Sequence, residues 1–258
     1  MKSLQSIFVA TIILLILGVA HAQEIPAGTV LPIMMNTGIT AGKGKIADRI
    51  SGRLMQDVIL PSGEKIRAGA RIHGQVLQSS GEPGDMRIAV GFDRLMVDGK
   101  QVPLSVSLLA LASPQEVFEA QLPVGAFDEF GTTTSDWTTV QVGGAAVYLG
   151  DGTVRDGMQI IGKAPSYGIV TAKLLPAPKR GCKSIPGESQ NEQSLWVFSP
   201  WACGTYGLDD LKISHHGVSS PVGTIELSAP SSVRIRAGSG WLLRVVPSDA
   251  PAGPTSGN

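Results

Sequence analysis

Across residues 86–97 apolar side chains alternate with polar or small ones, and this period of two constrains the fold more than any other feature of the chain. Met86, Ile88, Val90 and Phe92 fall on one face of an extended segment and Arg87, Ala89, Gly91 and Asp93 on the other, because successive side chains of a strand point to opposite sides. Leu95 and Val97 continue the apolar face one residue out of phase, which predicts a β-bulge near Asp93-Arg94. Asp98-Gly99 has the chemistry of a two-residue hairpin turn, and Val102, Leu104, Val106 and Leu108 form the expected return strand. Further strands are expected over 29–35, 53–60, 71–79, 144–149, 158–163, 168–175, 194–198, 223–228, 232–236 and 241–246. Beyond residue 22, only a short piece around 114–120 suggests a helical apolar period. With 32 glycines and 17 prolines, the chain has the composition of short strands joined by tight turns. The expected fold class is all-β.

One short motif occurs three times. Ile25-Pro-Ala-Gly28, Ile66-Arg-Ala-Gly69 and Ile235-Arg-Ala-Gly238 each precede a β-rich run. A glycine at the end of the motif permits a positive φ, so the chain can turn sharply before it pairs with a neighbour. The motif is therefore expected to start strands. Asp151-Gly152 and Asp156-Gly157 are expected to be turns of a β-meander.

The N-terminus carries an address. Lys2 precedes an almost wholly apolar run from Ile7 to Val19, followed by Ala20-His21-Ala22. The apolar run is shorter than the roughly 20 residues of a spanning helix, and the small-residue site favours a cleaved signal peptide over residues 1–22 against an uncleaved membrane anchor. The mature chain from Gln23 is then exported, periplasmic or extracellular, and does not span the membrane. Loss of Lys2 takes the formal charge from zero to about minus one. A field that weak steers neither nucleic acid nor anionic lipid, so nucleic acid is not an expected partner.

Several of these segments carry a family resemblance. Ile25-Pro-Ala-Gly-Thr-Val-Leu31, Gly63 to Gly74, and Phe92-Asp-Arg-Leu95 with Asp98-Gly99 resemble the soluble domain of TrbI-like proteins, β-barrel components of conjugation and type IV secretion core complexes. Val233-Arg-Ile-Arg-Ala-Gly238 with Leu242 to Val246 is similar to the last strand of that barrel. The resemblance covers about 26–110 and 222–246. It implies a TrbI-like barrel built from 23–112 and 222–246, in an envelope setting. Where the family carries a helical antenna, residues 113–221 are Gly-rich and aromatic and are expected to form a β-rich insertion. The Pro/Gly/Ser tail, 247–258, is expected to be disordered.

Cys182 and Cys203 are the only cysteines. In an exported protein a lone pair reads as a disulfide, here stapling the insertion, and the bridge would contribute about 3 kcal/mol through loop-closure entropy. Metal ligation is the alternative, although Cys-x-x-Cys spacing is missing. His73, His215, His216 and Asp210 are the weak metal candidates; adjacent histidines on a strand face opposite ways, and their bland reading is turn and surface residues. No cofactor is expected. Trp137, Trp196, Trp201 and Tyr206 either stack on a ligand such as a glycan or fill the core beneath the insertion.

These readings converge on a non-enzymatic envelope module that scaffolds or binds another envelope component. The alternatives are a glycan- or ligand-binding protein using the aromatics of the insertion, and a metal-dependent hydrolase built on His73, His215 and Asp210.

Overall fold

The computed structural model describes residues 24–43, 45–82, 84–121, 137–149, 151–163, 173–174 and 197–247. In chain order the elements are β1 (Val30–Met35), β2 (Ile39–Thr40), β3 (Arg49–Leu54), β4 (Val58–Ile59), β5 (Lys65–Ile66), β6 (Arg71–Glu82), β7 (Asp85–Val97), β8 (Lys100–Pro103) and β9 (Ser105–Ala112). A short helix α1 (Pro114–Glu119) follows, then β10 (Trp137–Gln141), β11 (Gly144–Tyr148), β12 (Thr153–Asp156), β13 (Gln159–Lys163) and β14 (Lys173–Leu174). The chain closes with β15 (Gly204–Tyr206), β16 (Lys212–His215), β17 (Thr224–Ala229), β18 (Arg234–Ile235) and β19 (Gly240–Val246). Among the described residues the protein is all-β apart from α1.

Ten strands form the main sheet, in the order β15-β9-β19-β1-β3-β6-β7-β17-β16, with β8 attached to β7. The stretches 26–110 and 222–246 therefore share one sheet: β19 lies between β1 and β9, and β17 pairs with β7. The strand ladders alone leave this sheet open, with β15 and β16 as its terminal members. A local contact joins β9, the neighbour of β15, to the residue just past β16. Leu108 N on β9 donates to His216 O just past β16 at 2.8 Å, and the His216 ring nitrogen Nδ1 lies 2.7 Å from Leu108 O.

The triplicated motif forms the same turn three times. Gly28, Gly69 and Gly238 have φ of 88°, 85° and 87°. In each turn the carbonyl of the second motif residue, Pro26, Arg67 or Arg236, accepts a bond from the residue after the glycine. This is a type II turn, which demands a positive φ at its third position. Each glycine N–H then donates to a strand end, Gly28 to Val245, Gly69 to Leu54 and Gly238 to Met35, and each of those residues donates back to the residue after the glycine. The opening isoleucines, Ile25, Ile66 and Ile235, are buried in the core. The motif is thus a clip that docks an incoming chain onto the end of a neighbouring strand.

The bulge lies at Asp93: His73 opposes Arg94 while Gly74 opposes Phe92, which leaves Asp93 without an opposite residue on β6. Asp98 and Gly99 both take positive φ, at 48° and 79°, as a type I′ hairpin turn requires. The expected return strand over 102–108 is instead two strands. β8 pairs with β7 as far as Pro103, and β9 leaves to pair with β19. Proline has no N–H to donate to a ladder, and the break falls beside the bulge, where Leu104 N bonds to Asp93 O.

Other expected boundaries shift as well. The strand expected over 53–60 divides into the end of β3 and the two residues of β4, and the one over 232–236 contracts to β18. Of 168–175, only Lys173–Leu174 is described as strand, and of 194–198, Val197 and Phe198 contribute one bridge, from Val142 to Phe198. β15 and β16, assigned by sequence to the insertion, are instead members of the main sheet. β10 to β14 form a separate five-stranded meander, with its turns at Gly152 and Gly157.

Alternate residues of β19 serve two cores, which explains its continuous apolar run. Trp241, Leu243 and Val245 enter the main core, where the Trp241 ring meets Phe92 edge-on at 5.7 Å. Leu242 enters a second cluster together with Leu109, Ala110, Val117, Val142, Val197 and Phe198. Residues of the insertion therefore pack on the outer face of β9 and β19. Gly240 allows the approach, since a Cβ there would lie 2.6 Å from Val117 Cγ2 and 3.0 Å from the Phe198 ring. Among the described residues no helix is long and apolar enough to cross a membrane.

Candidate functional site

A cleft opens where three segments distant in sequence meet. Its walls are Ser113, Pro114 and Gln115 at the start of α1, Gly207, Leu208, Asp209 and Leu211 after β15, and Ser232, Arg234 and Arg236 around β18. Its volume is about 560 Å³, within the roughly 300–1,000 Å³ typical of ligand sites.

Each wall has a local cause. Ser113 is the N-cap of α1, its Oγ accepting from Glu116 N at 3.3 Å, and Pro114 supplies the preset φ of a first helical turn. Parallel pairing of β15 with β9 brings the 207–211 turn alongside, where Ser113 N donates to Tyr206 O at 2.9 Å. Gly207 has a φ of 59°, and a Cβ there would lie 2.6 Å from Ser113 Oγ, so this wall depends on glycine for both conformation and space. The turn closes with Leu211 N bonding to Leu208 O, Asp210 sits at a φ of 61°, and Leu211 is buried. On the third wall Val233 and Ile235 are fully buried, and this alternation directs Ser232, Arg234 and Arg236 outward.

Charge in the cleft is uncompensated from within. Arg234 and Arg236 are exposed, and among the described residues neither they nor Asp209 takes part in any ion pair within 4.0 Å. The lining residues thus include two cations, Arg234 and Arg236, and one carboxylate, Asp209, with Glu116 beside Gly207 and Asp210 next to Asp209.

None of the described residues singled out by sequence lines the cleft. Trp201 is only 8% exposed, so it packs in the interior and offers no stacking platform. Tyr206 is half-buried, its hydroxyl accepting from Cys203 N at 3.0 Å. Trp196 and the side chain of Trp137 lie outside the described residues. Cys203 is not a free thiol, and Cys182, its expected partner, lies outside the described residues.

The metal candidates are not assembled: among the described residues no three of His, Cys, Asp and Glu stand close enough to share an ion. His215 has Nδ1 2.6 Å from Thr224 O and Nε2 3.1 Å from Ser219 Oγ, so both its ring nitrogens are occupied within the 215–224 bend. His216 holds Leu108 O, Asp210 lies in the exposed turn beside Asp209, and His73 sits in the β6 ladder opposite Arg94. Adjacent histidines thus serve two different backbone contacts.

Sequence reasoning passed over Arg234 and Arg236, which it took only as part of the last strand motif. A signal was present: two arginines at alternate positions, flanking one isoleucine, in a chain with only 16% charged residues. The chain matches no protein-family model, and no curated protein matches it in sequence.

Proposed function

We propose that the protein is an exported, non-enzymatic envelope module, a TrbI-like β-barrel that scaffolds or binds another envelope component. The observation that carries this reading is the position of β19 between β1 and β9, which joins the two stretches similar to that family in a single sheet. The contact of Leu108 with His216 supports closure of the sheet into a barrel at the seam between β9 and β16. On this reading residues 1–22 are a signal peptide, and a Cys182–Cys203 disulfide staples the insertion, as an oxidising compartment permits.

Burial of Trp201 favours the scaffold reading over glycan stacking, and the occupied rings of His215 and His216 weigh against a zinc hydrolase. The test is cross-linking in native envelopes followed by fractionation and mass spectrometry. The expected result is a mature chain starting at Gln23, in the envelope fraction, cross-linked to a defined envelope protein. A cytoplasmic chain that retains residues before Ala20 would overturn the proposal.

A further inference from the structure

We infer that the cleft between α1, the 207–211 turn and β18 binds an extended acidic peptide segment of a partner protein, with carboxylates at alternate positions held by Arg234 and Arg236. This gives the proposed binding module a ligand class, and it rests on that reading only for the partner's location.

The spacing carries the inference. Val233 and Ile235 are anchored in the core at 0% and 1% exposure, so the register of this segment is fixed, and Arg234 and Arg236 line the same cleft. Residues two apart on an extended backbone are separated by roughly 7 Å. An extended peptide repeats its own side chains on one face at that same interval. Acidic residues at alternate positions therefore match the two guanidiniums one to one, and each can be held through paired N–H donors. Among the described residues neither arginine has an ion-pair partner to surrender.

The other lining residues favour a peptide over a compact oxyanion. Asp209 faces the cleft, and its charge opposes a concentrated dianion such as phosphate while offering an acceptor to a backbone N–H. The Ser113 oxygen accepts from Glu116 N, which leaves its hydroxyl hydrogen free to donate to a peptide carbonyl. Pro114, Leu208 and Leu211 supply apolar surface for the intervening side chains.

The test uses purified mature protein and fluorescence anisotropy, so it is independent of envelope localisation. The probe is a labelled synthetic nonapeptide with glutamates at alternate positions. A control peptide of the same composition carries its glutamates consecutively, and free glutarate and inorganic phosphate serve as competitors. The expected result is saturable binding of the alternating peptide that weakens as salt rises. R234Q and R236Q should each reduce affinity about tenfold, and the double lysine variant R234K/R236K should fall between wild type and the double glutamine variant. Thermal transitions close to wild type would show that these exposed substitutions leave the fold intact. The inference is overturned by the absence of saturable binding at low salt, by equal binding of the R234Q/R236Q variant or of the control peptide, or by phosphate or glutarate binding where the peptide does not.

Discussion

Substitution of Gly69 by alanine isolates the clip that starts three strands. Gly69 sits at a φ of 85°, its N–H donates to Leu54 O at 2.8 Å, and Leu54 N returns a bond to Ala70 O at 2.8 Å. A Cβ built on Gly69 meets nothing within 4 Å, so packing contributes no penalty and the cost is conformational alone. Holding an L-residue at that positive φ costs roughly 1–2 kcal/mol. For a protein of this size that lowers the melting temperature by about 2–8 °C. G238A should cost about as much, because its added carbon makes only an ordinary contact with Pro114 Cβ at 3.4 Å. Asparagine at position 69 should cost less than alanine, since it tolerates left-handed backbone better. Calorimetry and chemical denaturation of the three variants provide the assay. The sign is decisive: at a glycine with negative φ, alanine instead stabilises by about 0.4–1 kcal/mol through the unfolded chain. A G69A protein more stable than wild type would refute the clip.

Two further outcomes are expected. The Asp57 carboxyl is held below its ordinary range, first by the Ala68 N–H at 2.9 Å and then by Lys65. Its stabilisation is therefore present above the unfolded value of about 4 and is lost as pH falls through the lower folded value, so D57N should be less stable than wild type at neutral pH and equal to it in acid. The pair is exposed, so the gap measured by denaturation at pH 7 should be a few tenths of a kcal/mol; a gap that widens in acid would contradict this assignment. If Cys203 is bridged to Cys182, C203S should destabilise the insertion by about 2–4 kcal/mol while leaving the main sheet largely folded. Hydrogen exchange should then show lost protection in 137–163 with 84–108 unchanged, whereas equal loss in both would mean a single cooperative unit.

What could be read from the sequence was local. Period-two alternation located β7, the phase slip at Asp93 located its bulge, and the Ile-x-Ala-Gly repeat located three turns of one geometry, because each is written in neighbouring residues. Strand partners were not legible by the same means. Val102 to Leu108 alternates without interruption, yet the chain changes partner at Leu104, and only the tertiary position of β19 determines that change. β15 and β16 are short and mixed in polarity, so nothing local marked them as members of the main sheet rather than the insertion. The expectation that 222–246 joins the N-terminal half matches the pairing of β19 with β1. The cleft escaped notice because its walls come from three segments around residues 113, 209 and 234, which only the fold brings together. Trp201 packs in the interior, and Tyr206, His215 and His216 serve backbone contacts instead.

Closure of the sheet is the central structural claim, and the amide of Leu108 reports on it directly. Its N–H meets the His216 carbonyl at 2.8 Å, between β9 and the residue just past β16. Amide hydrogen exchange followed by NMR on the intact mature chain compares this proton with that of Leu243, which belongs to the β19 ladder opposite Leu108. A closed barrel predicts comparable protection for both, near the free energy of global unfolding. Exchange at Leu108 that is orders of magnitude faster than at Leu243 would contradict closure, and the TrbI-like barrel reading would fall with it.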